Sequence, residues 1–258
     1  MQQINLSNDV IIKTVSENET TGDFEIEGLY TGYGLTVGNS LRRVLLSSLP
    51  GAAITQFKIK GVGHEFSTLP GVVEDVVEIS LNLKKIRFRV HEWEPQVLTL
   101  KSKGAGIVTA ADIKANNLVE VISPDLLIAT LTAKDAEFDM ELTVEKGLGY
   151  VPLEARKTEK LPIGVVALDA LFSPVVAVNF KVENMRVGDR TDYNRVKLHI
   201  VTDGSITPSS ALKKTGEILQ HHFNKFEGVI VKEVAIVPKT EKKEKGDKEK
   251  KVSKVKKK

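Results

Sequence analysis

Gly32, Gly34 and Gly38 stand where a phosphate-binding loop could form, at the start of an apolar, helix-like stretch. Backbone N–H groups at such a helix start can hold an anion. A dinucleotide fingerprint needs G-x-G-x-x-G, and here the third glycine falls one residue late. A P-loop would need Gly where Tyr33 stands and Lys where Asn39 stands. Without that lysine, no charge answers the β- and γ-phosphates. The glycines therefore read as positions of positive φ and close backbone packing at a strand-to-helix turn. A nucleotide-binding enzyme using this turn is the alternative.

Other candidate chemistry is thin. His221 and His222 are adjacent, so on a helix they point about 100° apart and cannot share a metal. His64-Glu65 lacks the H-E-x-x-H spacing and reads as a loop histidine with a local hydrogen bond. Glu74, Asp75 and Glu78 read as a solvated helix face or an interface rim. No serine sits in a G-x-S-x-G elbow. With no cysteine there is neither a disulfide framework nor a thiolate metal site. No catalytic constellation emerges, and no cofactor or metal is expected on the chain.

The elements that carry these residues follow from pattern. The 258 residues, 41% of them hydrophobic, suffice for one or two cores. No apolar run approaches the ~20 residues of a membrane span, and the first residues lack a signal-peptide pattern. Both point to a soluble intracellular protein with no membrane partner. Strand-like runs cover 10–15, 24–29, 53–60, 86–90, 97–101, 138–145, 175–187 and 196–202. QFKIK, IRFRV and FDMELTV alternate apolar with polar, the mark of antiparallel sheets with one wet face. A helix is expected over about 37–49, capped by Thr36 and stopped by Pro50-Gly51. Val37, Leu41, Val44 and Leu45 form one stripe, which Leu46 and Leu49 widen beyond the usual ~100°. A helix that apolar needs partners on two sides. A second helix is expected over 208–226, with Thr207 as cap, Pro208 at its first position and Gly228 near its stop. Ala211, Ile218, Leu219, His222, Phe223 and Phe226 line one side. A shorter helix fits 72–83.

Charge is divided unevenly. Residues 239–258 hold 11 Lys against 4 acids, leaving 26 basic and 30 acidic residues in 1–238. The body is acidic, unlike a nucleic-acid-binding body. The lysine-rich tail lacks apolar periodicity and reads as disordered. On a flexible arm, such charge would bind DNA phosphates without sequence preference. An independent DNA-binding protein is thus a third reading, and the acidic body argues against it.

Taken together, GYGLTVGNSLRRVLLSSLPGAAIT, IKGVGHEFSTLPGVVEDVVEISLNLK, GIVTAADI, EKGLGYVP and the run from Leu161 to Leu212 resemble the N-terminal domain of the bacterial RNA polymerase alpha subunit. The motifs occur in family order over about 5–235. The resemblance implies an α+β fold in two parts. A dimerisation subdomain, with two long helices on an antiparallel sheet, comes from 1–50 and 175–236, and a mostly β subdomain, 51–174, is inserted between. Residues 237–258 form the tail.

The same resemblance implies a non-catalytic subunit of a nucleotidyltransferase. It would homodimerise and scaffold assembly of the beta and beta-prime subunits, with omega in the finished enzyme. Beta contact maps to Arg42, Arg43, His64, Glu65, Phe66, Ser67 and Thr68, and beta-prime contact to Arg186, Arg190, Thr191 and Asp192. The dimer interface maps to Leu41, Val44, Leu45, Ile218, Leu219, His222, Phe223 and Phe226. DNA would be met through the assembled enzyme, or weakly through the tail. The implied location is the bacterial cytoplasm, near the nucleoid, rather than a plastid. The family's usual C-terminal DNA-binding domain has no counterpart in the ~20 residues after the body, so upstream-promoter recognition is not carried over.

Overall fold

The computed structural model describes residues 10–156 and 162–229, so the expectations for the tail and for the first nine residues lie outside it. Strands β1 (Ile11–Glu17) and β2 (Thr21–Leu29) lead into helix α1 (Tyr33–Ser47). Next come β3 (Pro50–Ile59), α2 (Val76–Leu83), β4 (Phe88–Val90), β5 (Gln96–Lys103), β6 (Gly106–Thr109), β7 (Ile113–Lys114), β8 (Val119–Val121) and β9 (Leu127–Leu131). They are followed by β10 (Glu137–Leu148), β11 (Tyr150–Val151), β12 (Val165–Ala167), β13 (Ala170–Leu171), β14 (Val175–Val187), β15 (Arg190–Thr202) and α3 (Pro208–Asn224).

The architecture is α+β, and every strand pairing among the described residues is antiparallel. One sheet has the order β1-β2-β15-β14 and draws strands from both ends of the described chain. A larger sheet, β7-β5-β10-β3-β4-β8 with β12 added on β3, uses only the residues between. Strand alternation explains both cores. In β10, Phe138, Met140, Leu142 and Val144 point inward, onto Phe57, Phe88 and the α2 residues Val76, Ile79 and Leu83. In the first sheet, Phe24, Ile26, Val196, Leu198 and Ile200 meet Leu41, Leu45 and Leu49 and the α3 residue Ala211.

Helix α1 corrects the expected start. It begins at Tyr33, not at Val37, and Thr36 lies inside it rather than capping it. Gly32 takes the cap position with φ 85° and offers no side chain. The capping oxygen comes from across the sheet: Asn194 of β15 accepts from the N–H groups of Gly32 (2.9 Å) and Gly34 (3.2 Å). Its amide also donates to Asn184 Oδ1 at 3.3 Å. Asn194→Ala should therefore lower stability by about 1–2 kcal/mol, read as a shifted urea midpoint. Asn194→Asp, which keeps an acceptor, should recover most of it; equal losses in both would show that the cap is energetically idle.

Helix α2 is shorter than expected, because Asp75 caps it by accepting from Glu78 N (2.6 Å) while Val72 bridges to Leu131. Helix α3 starts as expected, with Thr207 accepting from Ser210 N, and ends in a 3-10 turn at Gly228. The two cores are tied by Arg89 of β4, which donates to the carbonyls of Ser205 (3.0 Å) and Gly204 (3.3 Å).

Candidate functional site

The glycine turn packs; it does not cradle. A Cβ at Gly34 would come within 2.6 Å of Val182, and one at Gly38 within 2.6 Å of the Phe180 ring. These two glycines let α1 lie close on β14 and β15. The Asn194 oxygen already occupies the N–H groups that a phosphate would need.

Arg42 and Arg43 project from the outer side of α1, and neither forms an ion pair among the described residues. A guanidinium stays charged and presents donors in a fixed fork, so each is a ready partner for a carboxylate or carbonyl on another chain. The His64–Thr68 segment is a tight loop. Ser67 N donates to His64 O at 3.2 Å, and the Ser67 hydroxyl lies 3.3 Å from His64 Nδ1. That holds Phe66 outward, 76% exposed. His64, Glu65 and Phe66 border a cleft of about 490 Å³. Within it, Glu145 accepts from Thr55 (2.8 Å) and pairs with Arg156 (2.7 Å). No hydrogen bond or ion pair joins Arg42 or Arg43 to this loop among the described residues.

The Arg186–Asp192 region is organised otherwise. Arg186 donates to Gly188 O (2.8 Å) within the β14–β15 turn. Arg190 grips Asp192 through two bonds, 3.0 and 2.7 Å, with its guanidinium 5.0 Å from the Tyr30 ring and 5.3 Å from the Tyr193 ring. Thr31 donates to the Asp192 carboxylate at 2.7 Å. The cluster ties β15 to the turn that precedes α1, while Thr191 stays exposed. Tyr30, Thr31 and Tyr193 escaped the sequence reading because the cluster spans some 160 residues of chain.

The Arg190 bonds, and then the Thr31 hydroxyl, hold the Asp192 carboxyl well below the usual carboxylate range. A carboxylate lowered in the folded state adds stability above its unfolded pKa, which is lost as pH falls through the folded value. The clamp should therefore stay ionised at about pH 4, where an ordinary Asp is half protonated. The carboxyl carbon shift of Asp192, followed by NMR, should stay flat to that pH; a midpoint there would contradict the geometry.

Glu74 and Asp75 are neither a solvated face nor a rim. Glu74 accepts from Thr130 N (2.6 Å) and Thr130 Oγ1 (2.9 Å), and Asp75 is a helix cap.

The residues assigned to a dimer interface fall into three groups by exposure. Leu41 and Leu45 pack into the protomer's own core, where Leu45 has no surface to offer a partner and Leu41 only 8% of its own. Val44, Ile218 and Leu219 are half-buried. His222, Phe223 and Phe226 are exposed at the end of α3 and in the turn after it.

The family model described as the RNA polymerase Rpb3/RpoA insert domain matches residues 57–173. A protein named DNA-directed RNA polymerase subunit alpha from Alkaliphilus oremlandii is 51% identical over 217 residues, covering 84% of this chain and 68% of its own length. Its namesakes from Symbiobacterium thermophilum (51% over 217 residues, 83% and 69%) and Carboxydothermus hydrogenoformans (51% over 215 residues, 83% and 68%) are equally similar. The chain belongs to the DNA-directed RNA polymerase alpha-subunit family. As a member of that family it serves in transcription, within a multi-subunit polymerase, and spans about two-thirds of the length of these relatives. No helix among the described residues is long and apolar enough to cross a membrane. The family model falls on the larger sheet and α2, between the elements that supply α1 and α3. Arg42, Arg43 and Phe66 are exposed on the surface.

Proposed function

We propose that this chain is the non-catalytic assembly subunit of a bacterial RNA polymerase. It homodimerises through α1 and α3 and then recruits the beta and beta-prime subunits, with omega joining the finished enzyme in the cytoplasm. Dimerisation belongs to residues 1–50 and 175–236, and residues 51–174 are the insert between them. The observation that carries the reading is the apolar surface left on the two helical elements. Tyr33 and Leu35 are exposed on α1, and Phe223 and Phe226 at the end of α3, although these helices already pack on each other and on the first sheet. Exposed aromatics in that number, on packed helices, favour an interface. A twofold dimer would present each patch to itself.

Beta is held by Arg42, Arg43 and the His64–Thr68 loop. Beta-prime is held at the Arg190–Asp192 end of the β14–β15 hairpin, with Thr191 the free side chain there. Arg43 is the residue to test. Tagged chain captured from its own cells should bring down two very large chains. Arg43→Ala should weaken that capture roughly thirtyfold, about 2 kcal/mol, the scale of an interface hot spot. It should leave the dimer intact. Wild-type chain that brings down only itself would end the assembly reading.

A further inference from the structure

We propose that the junction between the two cores holds a binding site for a small solute bearing a doubly charged phosphate group. A cavity of about 440 Å³ lies between β4, the adjoining ends of β3 and β10, and the start of α3. Arg89, His91, Lys146 and Lys214 line it, and no carboxylate does. That lining runs against a body in which acids outnumber bases, 30 to 26 over residues 1–238.

The charges can be counted. Arg89, Lys146 and Lys214 supply three positive charges. Glu120, outside the cavity, pairs with Arg89 at 2.7 Å. Two charges remain, matching a doubly ionised phosphate. Lys214 forms no ion pair among the described residues, and Lys146 Nζ lies 5.0 Å over the Trp93 ring. Ser210 Oγ accepts from Thr207 Oγ1 at 2.8 Å, which leaves its own hydrogen free to donate to an anion. The N-terminus of α3 is not what makes the site, since Thr207 and Glu17 already accept from Ser210 N and Ser209 N. Lysines act on phosphate as point charges and suit a small anion held among several of them. A nucleic-acid backbone would instead need a basic stripe along the surface.

Trp93 is the only tryptophan, so its emission reports on Lys146. Inorganic phosphate or pyrophosphate added to the full chain should change that emission saturably, with half-saturation at or below about 1 mM. Lys214→Gln should weaken binding about tenfold in the same titration, and Lys146→Gln about tenfold by calorimetry. Lys214 is exposed and Lys146 half-buried, and unchanged thermal melts would confirm folding. Binding to the lysine-rich tail would leave Trp93 silent and survive Lys214→Gln, and that result would overturn the site. So would tighter binding of succinate than of phosphate, which would assign the cavity to a partner's acidic side chains. The site does not depend on the assembly role, because a monomer that recruits nothing would still bind phosphate.

Discussion

If the proposed dimer forms, replacing Phe223 and Phe226 together with Asp should leave the protein a folded monomer at concentrations where the wild type would sediment as a dimer. The rings are 61% and 68% exposed and stand 6.4 Å apart between centroids, so they form one patch. They lie outside the protomer's own buried core, so circular dichroism should not change. Burying one phenylalanine is worth about 1.5–3 kcal/mol, and a twofold interface holds each residue twice. Four rings, each with only about two-thirds of its surface left to bury, therefore contribute at least about 4 kcal/mol, or a thousandfold in the dissociation constant. Sedimentation velocity near 1 µM decides the point, on the order of the affinity expected for a weak dimer. A variant that still sediments as a dimer would place the interface elsewhere.

The largest loss of stability from a single methyl group is expected at Gly51. It opens β3, where the chain passes from α1 into the larger sheet. A Cβ there would lie 1.9 Å from the carbonyl oxygen of Phe172 and 3.3 Å from Pro174. A backbone carbonyl cannot swing aside as a side chain can, so β3 or the strand pair β11–β13 must shift. Gly51→Ala should cost about 3 kcal/mol, the upper part of the range for overpacking. Gly63→Ala is the control, since nothing lies within 4 Å of its Cβ. Chemical denaturation of the two variants should give a much lower midpoint for the first and an unchanged one for the second. Equal midpoints would mean that the close approach relaxes without cost.

Where local rules were enough, the sequence was legible. Thr207-Pro208 marked the start of α3, because a cap and a proline act on the residues beside them. The FDMELTV alternation placed four side chains in the core of β10, because a strand's two faces follow from chain geometry. The α1 stripe was visible too, but periodicity shows only that a face is apolar, not what lies against it. The family resemblance assigned Leu41 and Leu45 to a dimer interface, and the structure packs them against the protomer's own first sheet.

The other misses share one cause. The cap of α1 comes from Asn194, about 160 residues away. Glu74 bonds to Thr130, and Arg190 and Asp192 meet Tyr30 and Thr31. Each pairing depends on which strands lie side by side, which no spacing within one segment encodes.

The sequence alone determined the three helices and the longer strands, their polarity, the absence of thiol chemistry and, through motifs in order along the chain, the family; the short strands β6–β9 and β11–β13 went unread. Tertiary structure decided which glycines serve packing, which acids are structural, which apolar residues are left uncovered, and that four basic side chains meet at one junction. The physical reason is that element formation is governed by neighbours in the chain. Sites and surfaces are governed by neighbours in space, and in an antiparallel fold closed from both ends of the described chain those neighbours are far apart in sequence.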